Sequence, residues 1–576
     1  MLKSILTLLA ACSIFYQASV FADPASIRTV TGGQVQGEIL SNWGSDQDLE
    51  VYKNIPYAAA PSGELRWRPP AAVESWEGVK TTDDYGAICP QTTELQGVLD
   101  TMIDGQGMSW WRTKLLKFLV GLAPERAMSE DCLSINVWTP KDLEDDEKLP
   151  VMVWVHGGGH IAGSASDGIY EGDALARKGV VVVSFNYRLG ILGFMAHPQL
   201  SAEAESLHGH RSSGNYGTLD QIAALEWVRD NIAEFGGDPD KVTIFGESAG
   251  GHSVGQLMAT PLARGLFHRA IAQSGLGSHN YMHLRKHMPG FSAAENGGVA
   301  IAAAGNIADD EHALKQLREL SAQQLLDIGA SDVSLVSYMH PNVDGWMLPQ
   351  PVFEIFRQGQ QADVPLLIGS NADEGTLFQI FPMPPLYWSL EVPETVEELK
   401  TLLIAEFGEQ DGTALMAHYQ VSSDEDVSLA RLNIWGDSYF GYQGVYGAQQ
   451  MKNVESAAYL YFFKRTPPSP KQTLGATHSS EISFVFGGGM PLFETNDFDD
   501  DLSEAMSTYW TNFAKAGLPI AKGLPAWPQF VESDPRQMIF EQGPVVGSIE
   551  RSRLYGIYAK RIEQLHAEVL SRIEAP

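Results

Sequence analysis

One short segment of the sequence has residue types and spacing suited to nucleophilic catalysis. A β-branched stretch, residues 241–245, leads directly into a Gly-x-Ser-x-Gly motif with Ser248 at its centre, flanked by Gly246 and Gly250. A serine on such a sharp strand-to-helix turn holds its hydroxyl clear of the sheet, and glycines beside it leave room for neighbouring backbone. The following helix would direct its N-terminal N–H groups toward charge that develops during acyl transfer. The pattern predicts Ser248 as a nucleophile.

A second motif could stabilise the charge that this nucleophile generates. Three glycines, residues 157–159, follow another β-branched stretch, residues 151–155. Consecutive glycines let the backbone approach a tetrahedral intermediate closely and turn N–H groups toward its oxyanion. We expect the amides of Gly158, Gly159 and Ala249 to form this oxyanion hole. The run lacks the Gly-Lys-Ser/Thr ending of a nucleotide-binding P-loop.

The elements that must position these motifs alternate between strands and helices. Residues 219–235 have a helical pattern, and β-branched stretches typical of buried strands occupy residues 151–155, 179–184 and 241–245. Such alternation predicts an α/β fold with a mostly parallel sheet covered by helices on both faces. Because no repeat or linker interrupts the chain, we expect residues 23–576 to form a single domain with long loop insertions.

The N-terminus has the features of an export signal. Lys3 is followed by an almost wholly apolar stretch, residues 5–21, and by small residues suited to cleavage after Ala22. We therefore expect residues 1–22 to be a signal peptide and the mature protein to be secreted or periplasmic. A lipoprotein signal that acylates Cys12 is the alternative. No later apolar run is long enough to span a membrane.

Cysteine usage agrees with export. The chain has three cysteines, and removal of the signal takes Cys12 and leaves Cys89 and Cys132. In an oxidising compartment we expect these two to form a disulfide, whereas buried thiols would be normal in a cytosolic enzyme. The sequence also lacks any Asn-x-Ser/Thr site for glycosylation, which favours a bacterial exporter.

Composition limits the partners. The net charge is -32, from 39 Lys and Arg against 71 Asp and Glu. Such a charge argues against nucleic acid and against an anionic membrane surface as binding partners. No group of His, Cys and Asp residues has the spacing of metal ligands, and we expect no metal or organic cofactor.

Many short motifs, in a fixed order along the chain, resemble those of the type-B carboxylesterase/cholinesterase family. They cover nearly the whole mature sequence, at residues 54–58, 65–70, 129–133, 215–221, 235–239, 343–345, 371–375, 484–487, 509–514 and 525–528. The resemblance implies an α/β-hydrolase fold and hydrolysis of a small-molecule carboxylic ester through an acyl-enzyme. It does not by itself define the ester.

The resemblance also implies the partners of Ser248. The family's histidine corresponds to His478, which would take the serine proton and return it to the leaving alcohol. Its acid corresponds to Glu374, which would fix the imidazole tautomer and stabilise the imidazolium. The neighbouring Asp373 is the competing candidate for the acid.

Other matching positions imply supporting roles. Glu247 and Glu481 correspond to carboxylates that tune the electrostatics of the family's site, with plain hydrogen bonding in a polar interior as the alternative. The resemblance further implies two structural links, an ion pair between Arg66 and Glu130 and the disulfide between Cys89 and Cys132. The disulfide would contribute roughly 3–4 kcal/mol to stability.

Some positions depart from the family pattern. His160 stands after the glycine run where the family commonly has an aromatic residue, and Ser479 replaces the glycine usual after the histidine. Residues 275–277 lack the acyl-pocket tryptophan expected of a cholinesterase, so the sequence does not support choline-ester activity.

The loop that the disulfide would close contains an amphipathic segment, from Trp110 to Leu122. Apolar residues recur there at helical spacing at Trp111, Leu115, Phe118 and Leu122, and three cations accompany them at Arg112, Lys114 and Lys117. One hypothesis is a mobile cover over the pocket mouth that makes weak contact with bulky apolar substrate or a lipid surface. The alternative is a helix packed permanently on the body.

An esterase has two alternatives, a non-catalytic binding protein and a lipase. Some binding proteins of the superfamily keep the fold but lose the nucleophile or the histidine, whereas all three triad positions are present here. A lipase is the nearest enzymatic alternative and would differ by its preference for long acyl chains.

Overall fold

The computed structural model describes residues 23–575, except 42–46, 93–95, 122–125, 145–147, 382, 390 and 488–493. The predicted signal peptide, Cys12 within it, and Leu122 therefore lie outside the described residues. None of the helices in the described part of the chain is long and apolar enough to cross a membrane.

A single mixed sheet contains all thirteen strands of the described residues. In chain order they are β1 (Pro24–Val30), β2 (Gly33–Leu40), β3 (Leu49–Pro56), β4 (Val79–Thr81), β5 (Ser134–Pro140), β6 (Leu149–Val155), β7 (Val181–Phe185), β8 (Gly237–Glu247), β9 (Arg269–Gln273), β10 (Leu366–Asn371), β11 (Ala458–Phe463), β12 (Arg536–Phe540) and β13 (Pro544–Ser548). The spatial order is β1-β2-β3-β5-β7-β6-β8-β9-β10-β11-β12-β13, with β4 paired to β2.

The central strands of this sheet are parallel. From β7 through β6, β8, β9, β10 and β11 to β12, each neighbouring pair is parallel, whereas the pairs at the two edges are mainly antiparallel. The carboxyl ends of parallel strands meet at one edge of the sheet, which is where ligands bind in open α/β sheets. Ser248 follows the end of β8 at that edge.

Helices cover both faces of the sheet. They are α1 (Gln96–Gly105), α2 (Trp110–Val120), α3 (Asp173–Ala176), α4 (Gly190–Phe194), α5 (Pro198–His208), α6 (Tyr216–Asn231), α7 (Ala249–Ala259), α8 (Ala294–Ala304), α9 (Ala313–Glu319), α10 (Ala322–Ala330), α11 (Val333–Val336), α12 (Val352–Arg357), α13 (Val396–His418), α14 (Asp424–Gly436), α15 (Tyr442–Gln450), α16 (Ile482–Val485), α17 (Asp499–Ala516) and α18 (Ser552–Glu574). A π-helical turn, Asp437–Gly441, joins α14 to α15, and a 3₁₀ helix, Glu374–Phe378, follows β10.

The strand β6 shows why these segments are apolar throughout. Its side chains alternate between the two faces, so Val151, Val153 and Val155 belong to one hydrophobic core and Met152 and Trp154 to the other. A strand buried on both faces needs apolar residues at every position. The mostly parallel sheet with helices on both faces is therefore as the sequence predicted, whereas the division into a signal and one domain stays a prediction.

Two links predicted from the sequence are present in the structure. Cys89 and Cys132 are joined by a disulfide and are both buried. Arg66 donates two hydrogen bonds to Glu130, at 2.7 and 2.6 Å. Within the disulfide loop, the predicted helix is α2, which packs against α1.

Candidate active site

Ser248 occupies a strained turn between β8 and α7. Its φ of 59° and ψ of -122° lie where residues other than glycine are rarely found. The turn is tight on both sides, since a Cβ at Gly250 would lie 2.0 Å from the Val155 carbonyl oxygen and one at Gly246 would lie 2.7 Å from it. The Ser248 N–H donates to the carbonyl of Gln273 at 2.9 Å. The hydroxyl therefore stands on a rigid turn and is half-buried.

His478 is held by Glu374. Its Nδ1 lies 2.5 Å from Glu374 Oε2, and the ring is buried, with 2% of the residue exposed. The other oxygen of Glu374 accepts hydrogen bonds from the Ser274 hydroxyl and the Asn371 N–H, both at 2.7 Å. His478 Nε2 is buried and has no hydrogen-bond partner among the described residues. The ring is thus held at Nδ1, while Nε2 forms no hydrogen bond within the described part of the chain and has Glu247 Oε1 at 3.1 Å.

Asp373, the competing acid, makes a different contact. Its carboxylate accepts the Ala476 N–H at 2.8 Å, and its own N–H donates to the Ala476 carbonyl at 2.9 Å. These bonds tie the end of β10 to the loop that carries His478. Asp373 thus contacts the backbone of that loop, whereas Glu374 contacts the imidazole itself.

Three amides of the two glycine-containing motifs have no acceptor among the described residues. The N–H groups of Gly158, Gly159 and Ala249 have no hydrogen-bond acceptor within the part of the chain that the structure describes. Gly158 and Gly159 have φ values of 98° and 64°, and a Cβ at Gly158 would lie 2.1 Å from the Ala162 carbonyl oxygen. Only glycine fits there, because it has no Cβ and adopts positive φ freely.

Glu247 connects the nucleophile turn to the histidine. A Cβ at Gly157 would lie 3.1 Å from Glu247 Oε2 and 3.3 Å from the Ser248 Cβ, so these two side chains share one wall. The other oxygen, Glu247 Oε1, lies 3.1 Å from His478 Nε2. Glu481 is also buried and accepts hydrogen bonds from Gln273 and Asn371, at 3.0 and 2.6 Å.

Burial and charge act in opposite directions on these groups. Burial lowers the pKa of His478, but the negative charges of Glu247 and Glu374 outweigh burial and raise it to about 9. Burial raises the pKa of Glu247 to about 8, even though the His478 charge and a hydrogen bond oppose the rise. Burial likewise raises the pKa of Glu481, with the nearby Glu374 charge adding to it.

Comparisons with known proteins show which family the chain belongs to. The carboxylesterase family model matches residues 23–553. The chain is 34% identical to carboxylesterase 1C of Mus musculus, covering 88% of this chain and 87% of that one. It is 34% identical to fumonisin B1 esterase of Sphingopyxis macrogoltabida, covering 92% and 88%. The chain belongs to the carboxylesterase family. It is a carboxylic ester hydrolase of the serine hydrolase type.

Two solved esterase structures have the same fold as this carboxylesterase. A PNB esterase structure superimposes with a TM-score of 0.71 at 29% identity, covering 92% of this chain and 99% of that one. A thermophilic PNB esterase gives a TM-score of 0.72 at 29% identity, with the same coverage. The predicted α/β-hydrolase fold is thereby confirmed.

Two residues of this carboxylesterase site were not predicted from the sequence. Ser274 donates to Glu374, and Phe440 stacks on the His478 ring with centroids 4.3 Å apart and planes at 28°. Phe440 lies in the π-helical turn, where the extra residue per turn directs side chains differently from the α-helices on either side. No local sequence signal indicates the role of Phe440. Ser274, in contrast, directly precedes residues 275–277, which depart from the family pattern.

The structure shows the surroundings of two residues that depart from the family pattern, His160 and Gly275. His160 is buried with a φ of 60°, and its Nε2 lies 3.1 Å from the Ser253 hydroxyl on α7. A Cβ at Gly275 would lie 2.4 Å from the His252 ring, so the small residue leaves space for that imidazole beside Ser248. The described residues include no group of three His, Cys, Asp or Glu that could hold a metal ion.

Proposed function

We propose that this carboxylesterase cleaves carboxylic esters through an acyl-enzyme on Ser248, with His478 as general base and Glu374 as the orienting acid. The observation that carries the proposal is the 2.5 Å contact between Glu374 and His478 Nδ1, while Nε2 forms no hydrogen bond among the described residues. In the neutral imidazole Nε2 is then the acceptor, because Nδ1–H donates to the carboxylate. This is the tautomer that a serine hydroxyl requires.

The reaction proceeds in two half-reactions. Ser248 Oγ attacks the ester carbonyl while its proton moves to His478 Nε2, and the carbonyl becomes a tetrahedral oxyanion. Collapse of this intermediate breaks the C–O bond, and the leaving alcohol takes the proton from His478. Water then attacks the acyl-enzyme by the same route and releases the carboxylic acid, which restores Ser248.

The N–H groups of Gly158, Gly159 and Ala249 stabilise the oxyanion. They have no acceptor among the described residues, and Ala249 is the first residue of α7, where the N–H groups of a helix are unpaired. Donors that are already fixed in place need no reorganisation when charge appears. Glu247 and Glu481 act on the charge of the site rather than on the substrate.

A panel of p-nitrophenyl esters of graded acyl length tests the proposal. We expect Ser248→Ala to lose roughly 10⁶-fold in kcat, because the covalent route is gone and only binding and oxyanion stabilisation remain. The variant Ser480→Ala, a hydroxyl on the histidine loop, serves as control and should stay active. A Ser248→Ala variant that hydrolyses the panel as fast as the parent would refute the assignment, and the panel itself measures the chain-length preference.

A second candidate function, action on aggregated apolar ester, is favoured by the surface of α2. Trp110 is 73% exposed, Phe118 62% and Trp111 49%, whereas Leu116 on the opposite side is buried beside Ile103 of α1. The helix thus packs on the body by one face and presents aromatic residues by the other. Interfacial helices have this distribution.

The amphipathic segment would then contact a neutral lipid or emulsion surface. A strongly anionic target is disfavoured by the net charge of -32. The test measures hydrolysis below and above the solubility limit of one ester, in the parent and in Trp110→Ser/Trp111→Ser. We expect a rate increase at the limit in the parent only. Equal behaviour of both proteins, without an increase, would exclude interfacial action.

We also propose export through the predicted signal, supported by its apolar stretch and by the small residues before Asp23. N-terminal sequencing of the mature protein should begin at Asp23. A lipid-modified N-terminal Cys12 would instead identify a lipoprotein.

A further inference from the structure

Ser479, which follows the histidine, has a backbone conformation unusual for its residue type. Its φ is 67°, in the left-handed region that disfavours residues other than glycine, asparagine and aspartate. A serine held there costs folding free energy that a glycine at the same position would not. Strain of this kind persists where the side chain has a function, so the contacts of the hydroxyl are informative.

The Ser479 hydroxyl has one partner, the carboxylate of Glu247. Its Oγ donates to Glu247 Oε1 at 2.6 Å, and the same oxygen lies 3.1 Å from His478 Nε2. This is the only hydrogen bond donated to the Glu247 side chain by the residues that the structure describes. Ser479 and the proton-accepting nitrogen of His478 therefore share a single carboxylate oxygen.

We propose that Ser479 is a positioning residue that acts on His478 through Glu247. Its hydroxyl fixes Oε1 beside Nε2 and stabilises the ionised form of Glu247, and the ionised carboxylate in turn stabilises the imidazolium that forms when Ser248 gives up its proton. The proposal rests on the catalytic roles proposed above for Ser248 and His478.

The surroundings of Glu247 show why a donor matters there. Burial raises the pKa of this carboxyl, as do the charges of Glu481 and Glu374, whereas the His478 charge and the Ser479 hydrogen bond lower it. Tyr170 and Tyr461 also face it and are uncharged at neutral pH. A hydrogen bond to a carboxylate favours its ionised form. Loss of the hydroxyl would therefore favour the neutral carboxyl and remove negative charge from beside Nε2.

The neighbouring hydroxyl provides a contrast within the same loop. Ser480 Oγ donates to the Thr477 carbonyl at 2.7 Å and makes no hydrogen bond to a charged side chain among the described residues. Ser480→Ala therefore reports the effect of losing a loop hydrogen bond alone.

The experiment compares Ser479→Gly, Ser479→Ala and Ser480→Ala by kcat/KM against pH. Both Ser479 variants should move the acid limb of the kcat/KM profile to lower pH by on the order of 0.5–1 unit, because the His478 imidazolium loses a stabilising charge. They should also lower the plateau value of kcat/KM on the order of tenfold. Ser479→Gly should also unfold at a higher temperature than Ser479→Ala, since glycine relieves the strain. Ser480→Ala should leave the limb in place.

A double variant identifies the route. Glu247→Gln alone should move the acid limb of the kcat/KM profile to lower pH. Ser479→Gly added to Glu247→Gln should cause no further shift, because the carboxylate through which Ser479 acts is absent. An unchanged limb in both Ser479 variants, or an additive shift in the double variant, would overturn the positioning role. If Ser248→Ala is inactive, either of these results refutes the role of Ser479 and leaves the proposed ester hydrolysis unaffected. An active Ser248→Ala would refute the proposed function itself.

Discussion

At the scale of single residues, His478 has a carboxylate at each ring nitrogen. Glu374 lies at Nδ1, at 2.5 Å, and Glu247 lies near Nε2, at 3.1 Å. The first fixes the tautomer, whereas the second lies near the nitrogen that exchanges a proton with Ser248 in the proposed mechanism. Two nearby negative charges favour imidazolium, so the histidine is a stronger base than a free imidazole.

The pH dependence of activity follows from this arrangement. In the proposed mechanism, attack by Ser248 requires neutral His478, whose pKa is raised to about 9 because Glu247 and Glu374 outweigh burial. We therefore expect kcat/KM to rise with pH through the interval between 6.5 and about 9, with less activity on the acid side. Initial rates with one p-nitrophenyl ester, corrected for spontaneous hydrolysis, measure the limb. A limb below 6.5 would contradict the dominance of the two carboxylates.

The identity of the acid is tested by two conservative changes. Glu374→Gln should lower kcat roughly 10³–10⁴-fold, because the amide no longer stabilises the imidazolium. Asp373→Asn should mainly weaken the backbone bond to Ala476, at a cost of about 1 kcal/mol of stability. Steady-state kinetics and denaturant unfolding of both variants separate these effects. A larger loss of activity in Asp373→Asn would transfer the acid role to Asp373.

At the scale of elements, the π-helical turn Asp437–Gly441 packs against the face of the His478 ring. It interrupts the helical path between α14 and α15 and brings Phe440 onto the face of His478. Phe378, from the 3₁₀ helix that begins at Glu374, approaches the same ring at 5.3 Å. The imidazole is thus held by hydrogen bonding in its plane and by aromatic packing on its face.

Replacing the stacking ring tests the contribution of this turn. Phe440→Leu should lower kcat by about 2- to 10-fold, because an aromatic pair contributes about 0.5–1.5 kcal/mol beyond burial. Phe235→Leu, a buried residue that packs edge-to-face on Tyr52 just before β8 begins, is the matched control for general loss of packing. Kinetics are compared with thermal unfolding of both variants. Equal kcat losses in the two would show that Phe440 acts through stability alone.

At the scale of the whole molecule, the Cys89–Cys132 disulfide closes a loop of 43 residues that contains α1 and α2. Removing both cysteines as Cys89→Ala/Cys132→Ala should lower the free energy of unfolding by about 3–4 kcal/mol, mainly because the unfolded chain gains freedom. Urea unfolding measures the loss. The parent under reducing conditions should behave like the variant, and identical midpoints for oxidised parent and variant would contradict the prediction.

The sequence by itself determined the features that depend on local backbone chemistry. A serine between glycines after a β-branched strand requires a strained turn, and Ser248 has one. Apolar runs predicted buried strands, and β6 is buried on both faces. The family resemblance, not spacing, singled out His478 among 15 histidines. The first two of these signals lie within a few residues, where sterics and hydrophobic pattern act directly, whereas the third depends on the order of motifs along the chain.

Only the tertiary structure decided which distant groups meet. Glu374 and His478 are 104 residues apart, and Glu247 and Ser479 are 232 apart. The register of β8, β9 and β10 brings these loops to one edge of the sheet, and nothing local to either partner encodes that meeting. The same holds for Phe440, whose position depends on a single extra residue in a helical turn. Contacts between loops follow from how the sheet is assembled, which no short segment specifies alone.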